Sequence, residues 1–254
     1  MSKFARMTDI LDLFSESVTL LTAEQIAERV RISRPTAFRY ARELTQAGFL
    51  ANYAGRYSLG ARIITLDHRI RESDPVLRLA RDVMAGLASE TACGVILCRM
   101  YNEDVINVHH EAGFDEVATS FGRGRPLPLF RGAGSKIMLA YLPQPRLKRI
   151  YERHRNEPQL KSLAGDWPAF RAYFKAIRDR GHYVSIQEIE DMTIGVAAPV
   201  LVPGMGVIAA ISLVMSVERQ RLVNTDGLAT LVKARAAEIA DRLRSLAPET
   251  EAGR

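Results

Sequence analysis

Two cysteines in 254 residues exclude a disulfide framework, which needs several paired thiols. Cys93 and Cys98 straddle an apparent strand, and nothing nearby completes a metal-ligand spacing. Both read as buried free thiols in a reducing cytoplasm, and neither a metal nor another cofactor is expected. A secretory leader is not read at the start, because Lys3, Arg6 and Asp9 interrupt any apolar run. Internal repeats are lacking. So is a catalytic constellation: no Ser–His–Asp set or pair of carboxylates stands out, and His109 and His110, adjacent on a strand, point to opposite faces. Charge is missing from one long stretch, Met192 to Val217. Its length raises the question of a membrane span, but Pro199, Pro203, Gly204 and Gly206 fall inside it, and Pro-Gly-Met-Gly is turn chemistry. Two buried strands joined by a hairpin are the expectation, with no membrane partner.

Acidic residues are scarce in a second place. From Arg29 to Arg62 the chain carries arginines at 29, 31, 34, 39, 42, 56 and 62 against one acid, Glu43, a balance of 7 − 1 = +6. The whole chain is also +6, so the rest sums to zero and the basic excess is confined to this stretch. Around it the text TAEQIAERVRISRPTAFRYARELTQAGFL spells two short helices. Thr22 and Gln25 have the spacing of a capping box, and Ile26, Ala27 and Val30 give the first helix an apolar face. Ser33 can cap the second helix, and Pro35 is tolerable in its first turn, where a missing N–H breaks no intrahelical bond. Ala37, Tyr40, Ala41 and Leu44 make its inward stripe, which leaves Arg34, Thr36, Arg39 and Arg42 largely on other faces, and Gly48 ends it. Two readings suit that pattern: a helical hairpin with a solvated basic face, and a helix-turn-helix whose second helix enters a major groove. The next residues favour the second. FLANYAGRYSL has two extended arms around Ala54-Gly55 with Arg56 at the tip, a hairpin directly behind the helices, which makes a winged helix. Arg31, Ser33, Arg34, Thr36, Arg39, Arg42 and Arg56 are the expected DNA-binding residues.

At 254 residues two domains are the natural expectation, each long enough to bury a core. Residues 6–16 place Met7, Ile10, Leu11 and Phe14 on one face of a first helix. GARIITLDHRIRES carries Ile63, Leu66 and Ile70 on one side and stops at Asp74-Pro75, an amphipathic linker helix with no core of its own, expected to bury that stripe against a partner subunit. The divisions read as 1–60 for the DNA-binding domain, 61–75 for the linker helix and 76–248 for the second domain. That domain mixes a helix over 76–90, a hairpin turning at Asn102-Glu103-Asp104, a short apolar helix over 132–142 and a helix over 166–180. Three strands follow (HYVSIQEI, IGVAAPVLV, GVIAAISLVMS), then a last helix from Thr225 and a frayed tail after Pro248. The fold class is α+β, an antiparallel sheet flanked by helices behind a winged helix.

At this point the chain resembles the IclR family of bacterial transcription regulators along nearly all its length. DILDLFSES, the helix-turn-helix text, GRYSLGARI, GRPLPLFRGAGSKIMLAYLP and GVAAPVLVPGMGVIAAISL match in order and spacing. The resemblance implies a GAF-like effector domain, a homodimer or homotetramer, cytoplasmic location, and ligands that are small metabolites, frequently carboxylates. It also implies a pocket at Ala133, Gly134, Ser185, Gly195, Ser212 and Val214. Three departures from the family's text put Phe130 and Arg131 at the entrance, serine where an acid is frequent (Ser185) and glycine where cysteine is frequent (Gly195). A roomier and less acidic pocket is therefore expected. Gly132-Ala133-Gly134-Ser135-Lys136 fails as a phosphate loop, since Lys does not follow the last Gly directly. Its small residues still open a helix whose N–H groups can face an anion, with Arg131 or Arg125 assisting. The expected function is a ligand-responsive regulator, not an enzyme, acting on a near-palindromic operator. Two other readings stay open: a GAF-like thiol enzyme joined to a DNA-binding domain, and an architectural DNA binder that senses nothing.

Overall fold

The computed structural model describes residues 2–114 and 122–246; the tail beyond Pro248, expected to fray, lies outside them. The chain divides into two units, Met1–Asp74 and Pro75–Arg254.

In the first unit α1 (Lys3–Leu11) is capped by Ser2, whose hydroxyl accepts from the Ala5 N–H. It starts earlier than the expected 6–16, with Phe4 facing outward at 76% exposed, and it ends at Leu11 with Asp12 as its cap, so Phe14 of the expected stripe lies beyond it. β1 (Leu21–Thr22) leads into α2 (Ala23–Val30). The capping box is complete: the Gln25 N–H donates to Thr22 Oγ1 at 3.3 Å and the Thr22 N–H to Gln25 Oε1 at 2.9 Å, so two otherwise orphaned donors are satisfied. Arg31 turns the chain with a φ of 58°, and Ser33 caps α3 (Arg34–Gln46). Ala37, Tyr40, Ala41 and Leu44 are buried, as their spacing predicts, in one core with Ile10, Leu21, Ile26 and Leu50. β2 (Leu50–Tyr53) and β3 (Arg56–Leu59) form the wing, joined by Ala54 and Gly55 with φ of 51° and 84°. Positive φ at both central residues is the turn whose twist matches a hairpin. β1 adds to the far edge of β3. α4 (Ala61–Ser73) buries none of its residues; Ile64 is 73% and Ile70 51% exposed.

The second unit opens with α5 (Pro75–Thr91), β4 (Gly94–Tyr101) and β5 (Asp104–Glu111). The connecting turn is one residue shorter than predicted: Asp104 already pairs with Tyr101, and Asn102 takes a φ of 56°. β6 (Pro126–Leu127) and α6 (Ala133–Ala140) follow. α7 (Gln144–His154) and α8 (Pro158–Leu163) come next, two helices that the pattern of apolar residues did not announce. α9 (Trp167–Arg180) is capped by Asp166 and ended by Gly181 in the left-handed region. β7 (Tyr183–Ile186), β8 (Thr193–Val202), β9 (Gly206–Ser216), α10 (Val217–Gln220) and α11 (Thr225–Arg244) complete it. The uncharged stretch is thus a hairpin of β8 and β9, and among the described residues no helix is long and apolar enough to cross a membrane.

The six strands are antiparallel in the order β6-β5-β4-β9-β8-β7. Alternation on β8 and β9 separates two cores. Val196, Ala198, Ile211 and Leu213 face α5 and α11, with Leu77, Met84, Leu87, Val232 and Ile239. Ala197 and Ala210 point the other way, beneath Ile137 and Met138 of α6 and Phe170 and Phe174 of α9. Small side chains on that face let α6 come close. A Cβ on Gly134 would lie 2.7 Å from Cys98 Sγ on β4. The head of α6 therefore rests directly on the sheet. Truncating Phe170 or Phe174, both fully buried, would cost about 3–5 kcal/mol.

Candidate functional site

Two surfaces carry the chemistry, one on each unit. On the first, Arg31, Ser33, Arg34, Arg39, Arg42 and Arg56 are exposed and Thr36 is half-buried. None of the five arginines sits in a carboxylate ion pair among the described residues; Arg39 lies over the Tyr40 ring at 5.3 Å. The one acid of this stretch, Glu43, is bound to Lys3 at 2.8 Å. The one acid on α3 is thus matched from α1, and Glu24 at the start of α2, its carboxyl held below the usual range by hydrogen bonds at the helix start, also feels the charge of Arg34. Ser33 is engaged locally: its hydroxyl meets Thr36 Oγ1 at 2.8 Å and accepts from the Thr36 N–H at 3.4 Å. Between α3 and the wing lies an open groove of about 430 Å³ lined by Phe38, Arg39, Arg42, Gln46, Asn52 and Tyr57. Phe38, 51% exposed on α3, is an apolar contact the helical pattern hid, because its position belongs to no inward stripe.

On the second unit strand register gathers residues far apart in sequence. Ser185 pairs with Gly195 and Gly195 with Val214; Ile96 pairs with Ser212. Ser212 and Val214, two apart on β9, share one face. The head of α6 closes over that face, and the result is a cavity of about 60 Å³. Ala133, Gly134, Ser185, Gly195, Ser212 and Val214 all line it, with Ile96, Leu127, Gly132, Thr193, Ile194 and the run Glu188-Ile189-Glu190. Ser212 Oγ is buried and has no hydrogen-bond partner among the described residues, and the same holds for Ser135 Oγ in the first turn of α6. A buried, unsatisfied hydroxyl facing a cavity is a demand for a polar occupant.

Three residues expected at the pocket are elsewhere. Phe130 is 2% exposed with its ring edge-on to Phe170 and His154, so it belongs to the core under α9. Arg131 is exposed, and Arg125 pairs by its backbone with Asn107; neither lines the cavity. The cation near the head of α6 is Lys136 instead, 5% exposed. Its Nζ lies 2.8 Å from Glu188 Oε2 and 3.0 Å from the Tyr183 hydroxyl, and over the Tyr173 and Tyr183 rings at 5.3 and 4.7 Å. Burial, with the Tyr173 and Glu188 hydrogen bonds, holds the Tyr183 phenol well above its ordinary range. A signal for Lys136 existed: it is the only charge in the apolar run GAGSKIMLAYL, and a lysine buried there needs a partner.

The pocket is also neither roomy nor free of acid. Glu188 and Glu190 line it. Glycine at 195 opens no space, because a Cβ there would stand 2.8 Å from Ser185 Oγ and 3.3 Å from Ala133 Cβ. At about 60 Å³ the cavity falls well under the ~300 Å³ of ordinary ligand pockets, so its walls move or its occupant is small. Both cysteines are free and buried, and burial pushes the Cys98 thiol up to about 12, the reverse of what a nucleophilic thiolate needs. His109 is bound to Glu111 at 2.6 Å.

Residues 5–52 match the family described as IclR helix-turn-helix domain, and residues 68–241 the one described as Bacterial transcriptional regulator IclR C-terminal. Among curated relatives, the Pca regulon regulatory protein of Pseudomonas putida is 22% identical over 86% of this chain and 76% of its own. HTH-type transcriptional regulator XynR of Escherichia coli is 25% identical over 82% and 83%. Among solved structures, an IclR transcriptional regulator from Alicyclobacillus acidocaldarius superposes with a TM-score of 0.78 at 21% identity, covering 94% of this chain and 98% of that one. An IclR homologue from Microbacterium hydrocarbonoxydans, complexed with 4-hydroxybenzoate, gives 0.78 at 20% identity over 96% and 100%.

Proposed function

The chain belongs to the IclR family of bacterial transcriptional regulators, and from that premise we propose that α3 reads the major groove of an operator while the cavity of the second unit admits a small metabolite that adjusts the grip. The observation that carries the first half is the set of exposed, unpaired guanidiniums of Arg31, Arg34, Arg39, Arg42 and Arg56 on the reading helix, its preceding turn and the wing. Surface arginines cost little where they stand and release counterions when phosphates replace water. Ser33 and Thr36 present the first turn of α3 to the backbone, and Arg39 is assigned a base edge. The partner is a near-palindromic duplex, because two readers on a homodimer address two half-sites. A second copy covers the stripe of Ile63, Leu66 and Ile70 on α4, of which Ile63 and Leu66 are half-buried and Ile70 exposed, in a dimer or a tetramer, and the assembly works in the cytoplasm, where the DNA is.

For the second half, the effector meets Ala133, Gly134, Ser185, Gly195, Ser212 and Val214. It is a small acid with an apolar body, as 4-hydroxybenzoate is in the Microbacterium homologue. Operator and effector then change each other's affinity by the same factor. Titrating operator binding against salt tests the DNA half. If each subunit of a dimer neutralises about four phosphates, the log–log slope should be near −7, and a slope near zero removes the assigned surface. Screening small organic acids by thermal shift tests the effector half, since a ligand at 100 times its Kd stabilises by about 2.7 kcal/mol. An architectural binder would show no such shift.

A further inference from the structure

The seat at the head of α6 is already filled, by the protein itself. Glu188 Oε2 accepts from the Gly132 N–H at 2.8 Å and lies 2.8 Å from Lys136 Nζ, while Oε1 accepts from the Tyr183 hydroxyl at 2.7 Å. A backbone N–H at a helix start, a buried ammonium and a phenol converging on one carboxylate are the parts of a carboxylate receptor. We propose that Glu188 is a tethered stand-in for the effector's carboxylate, and that an acid binds this protein by displacing it. The inference rests on reading the cavity as the effector site, and it adds which group the effector must compete with.

Four observations carry it. Glu188 reaches the seat from the connection between β7 and β8, where residues 188–190 form one wall of the cavity. That wall sits tightly on the helix head: a Cβ on Gly132, whose φ is +83°, would lie 2.2 Å from Ile189 Cδ1. The receptor stays when the wall leaves. Lys136, with a side chain 6% exposed, also donates to the Tyr183 hydroxyl and lies over the Tyr173 and Tyr183 rings, contacts that do not need Glu188, whose own side chain is 21% exposed and within reach of water. Ser212 Oγ, 5% exposed and without a partner, waits inside the same cavity. Two carboxylates cannot share one such seat ionised, so exchange is one for one: the effector takes over the ion pair with Lys136 and Glu188 turns to solvent. The occupant is thereby defined as a monoacid with a short apolar body and an oxygen for Ser212. Moving the wall also explains how a cavity of about 60 Å³ admits it.

Chemical rescue tests this on the full chain without DNA. Glu188→Ala should melt at lower temperature than wild type, and sodium acetate should restore it in a saturable way, with an acetate Kd roughly tenfold or more below that of wild type, a difference of about 1.4 kcal/mol. Acetamide and sodium chloride at matched ionic strength should restore nothing. Glu188→Gln, closer in shape, is the second variant should the alanine form not fold; it leaves Lys136 without a counter-charge and should also gain acetate binding. Adding Lys136→Met to either should abolish the response. Equal acetate effects on wild type and variants, or none on any, overturn the proposal. Rescue without any acid altering operator affinity would keep the seat and remove the effector reading; an acid that releases operator without any rescue would do the opposite.

Discussion

The two units handle positive charge in opposite ways. Arg31, Arg34, Arg39, Arg42 and Arg56 are exposed and in no close ion pair among the described residues, whereas Lys136 is buried and bound to Glu188, Tyr183 and two rings. An exposed cation loses little by waiting for a partner that comes from outside. A buried cation cannot wait, because an uncompensated charge in the interior costs several kcal/mol, so the fold must supply a temporary partner.

The sharpest way to break this comparison is to remove the buried cation. Lys136→Met should destabilise the second unit by about 3 kcal/mol in urea denaturation, because Glu188 loses its counter-charge. Adding Glu188→Gln should recover much of that loss; if the double variant is merely additive, the two side chains are not the coupled pair described. Next comes the exposed side. Arg39→Ala should weaken specific operator binding by roughly 1–3 kcal/mol and leave thermal stability within about 0.5 kcal/mol. Equal weakening on random duplex would move Arg39 from base reading to phosphate contact. Ser33→Ala should lower stability by about 1 kcal/mol through the lost cap of α3, with Ser33→Asp close to wild type. The smallest effect concerns Cys98. With its thiol pushed up to about 12, against an ordinary 9, the native chain should resist iodoacetamide at pH 8 until it unfolds. Between those two values the unfolded chain loses the proton first, so the contribution of this thiol to stability is intact below pH 9 and declines as pH rises toward 12. Rapid labelling of Cys98 in the native state would place it in a far wetter setting.

The first unit was largely legible in the chain, because its signals are local. A capping box, a proline in a first turn, a two-residue hairpin tip and a run of arginines each act within a few positions, and each appears where its spacing put it. In the second unit the local signals thin out. α7 begins beside two prolines and has no side-chain cap, and its inward stripe of Leu147, Ile150 and Tyr151, at helical spacing, is short and set among charged residues. The strand residues around the cavity were reachable only through resemblance to relatives. The Lys136–Glu188 pair was not reachable at all, because Glu188 reads in isolation as one more acid in the polar run QEIED, and two of its three partners, Gly132 and Lys136, lie at the head of α6, far away in sequence. Arg131 directly precedes that helix head, yet it is exposed and does not line the cavity, which its place in the sequence could not reveal.

α4 carries one more consequence. Thirteen residues long and with none buried, it falls near the length at which a lone helix in water is marginal. Its persistence is then lent by whatever covers the stripe of Ile63, Leu66 and Ile70. Where the cover is another copy of the chain, the ordered fraction of α4 rises in proportion to abundance at low occupancy, and the number of paired half-site readers rises with its square.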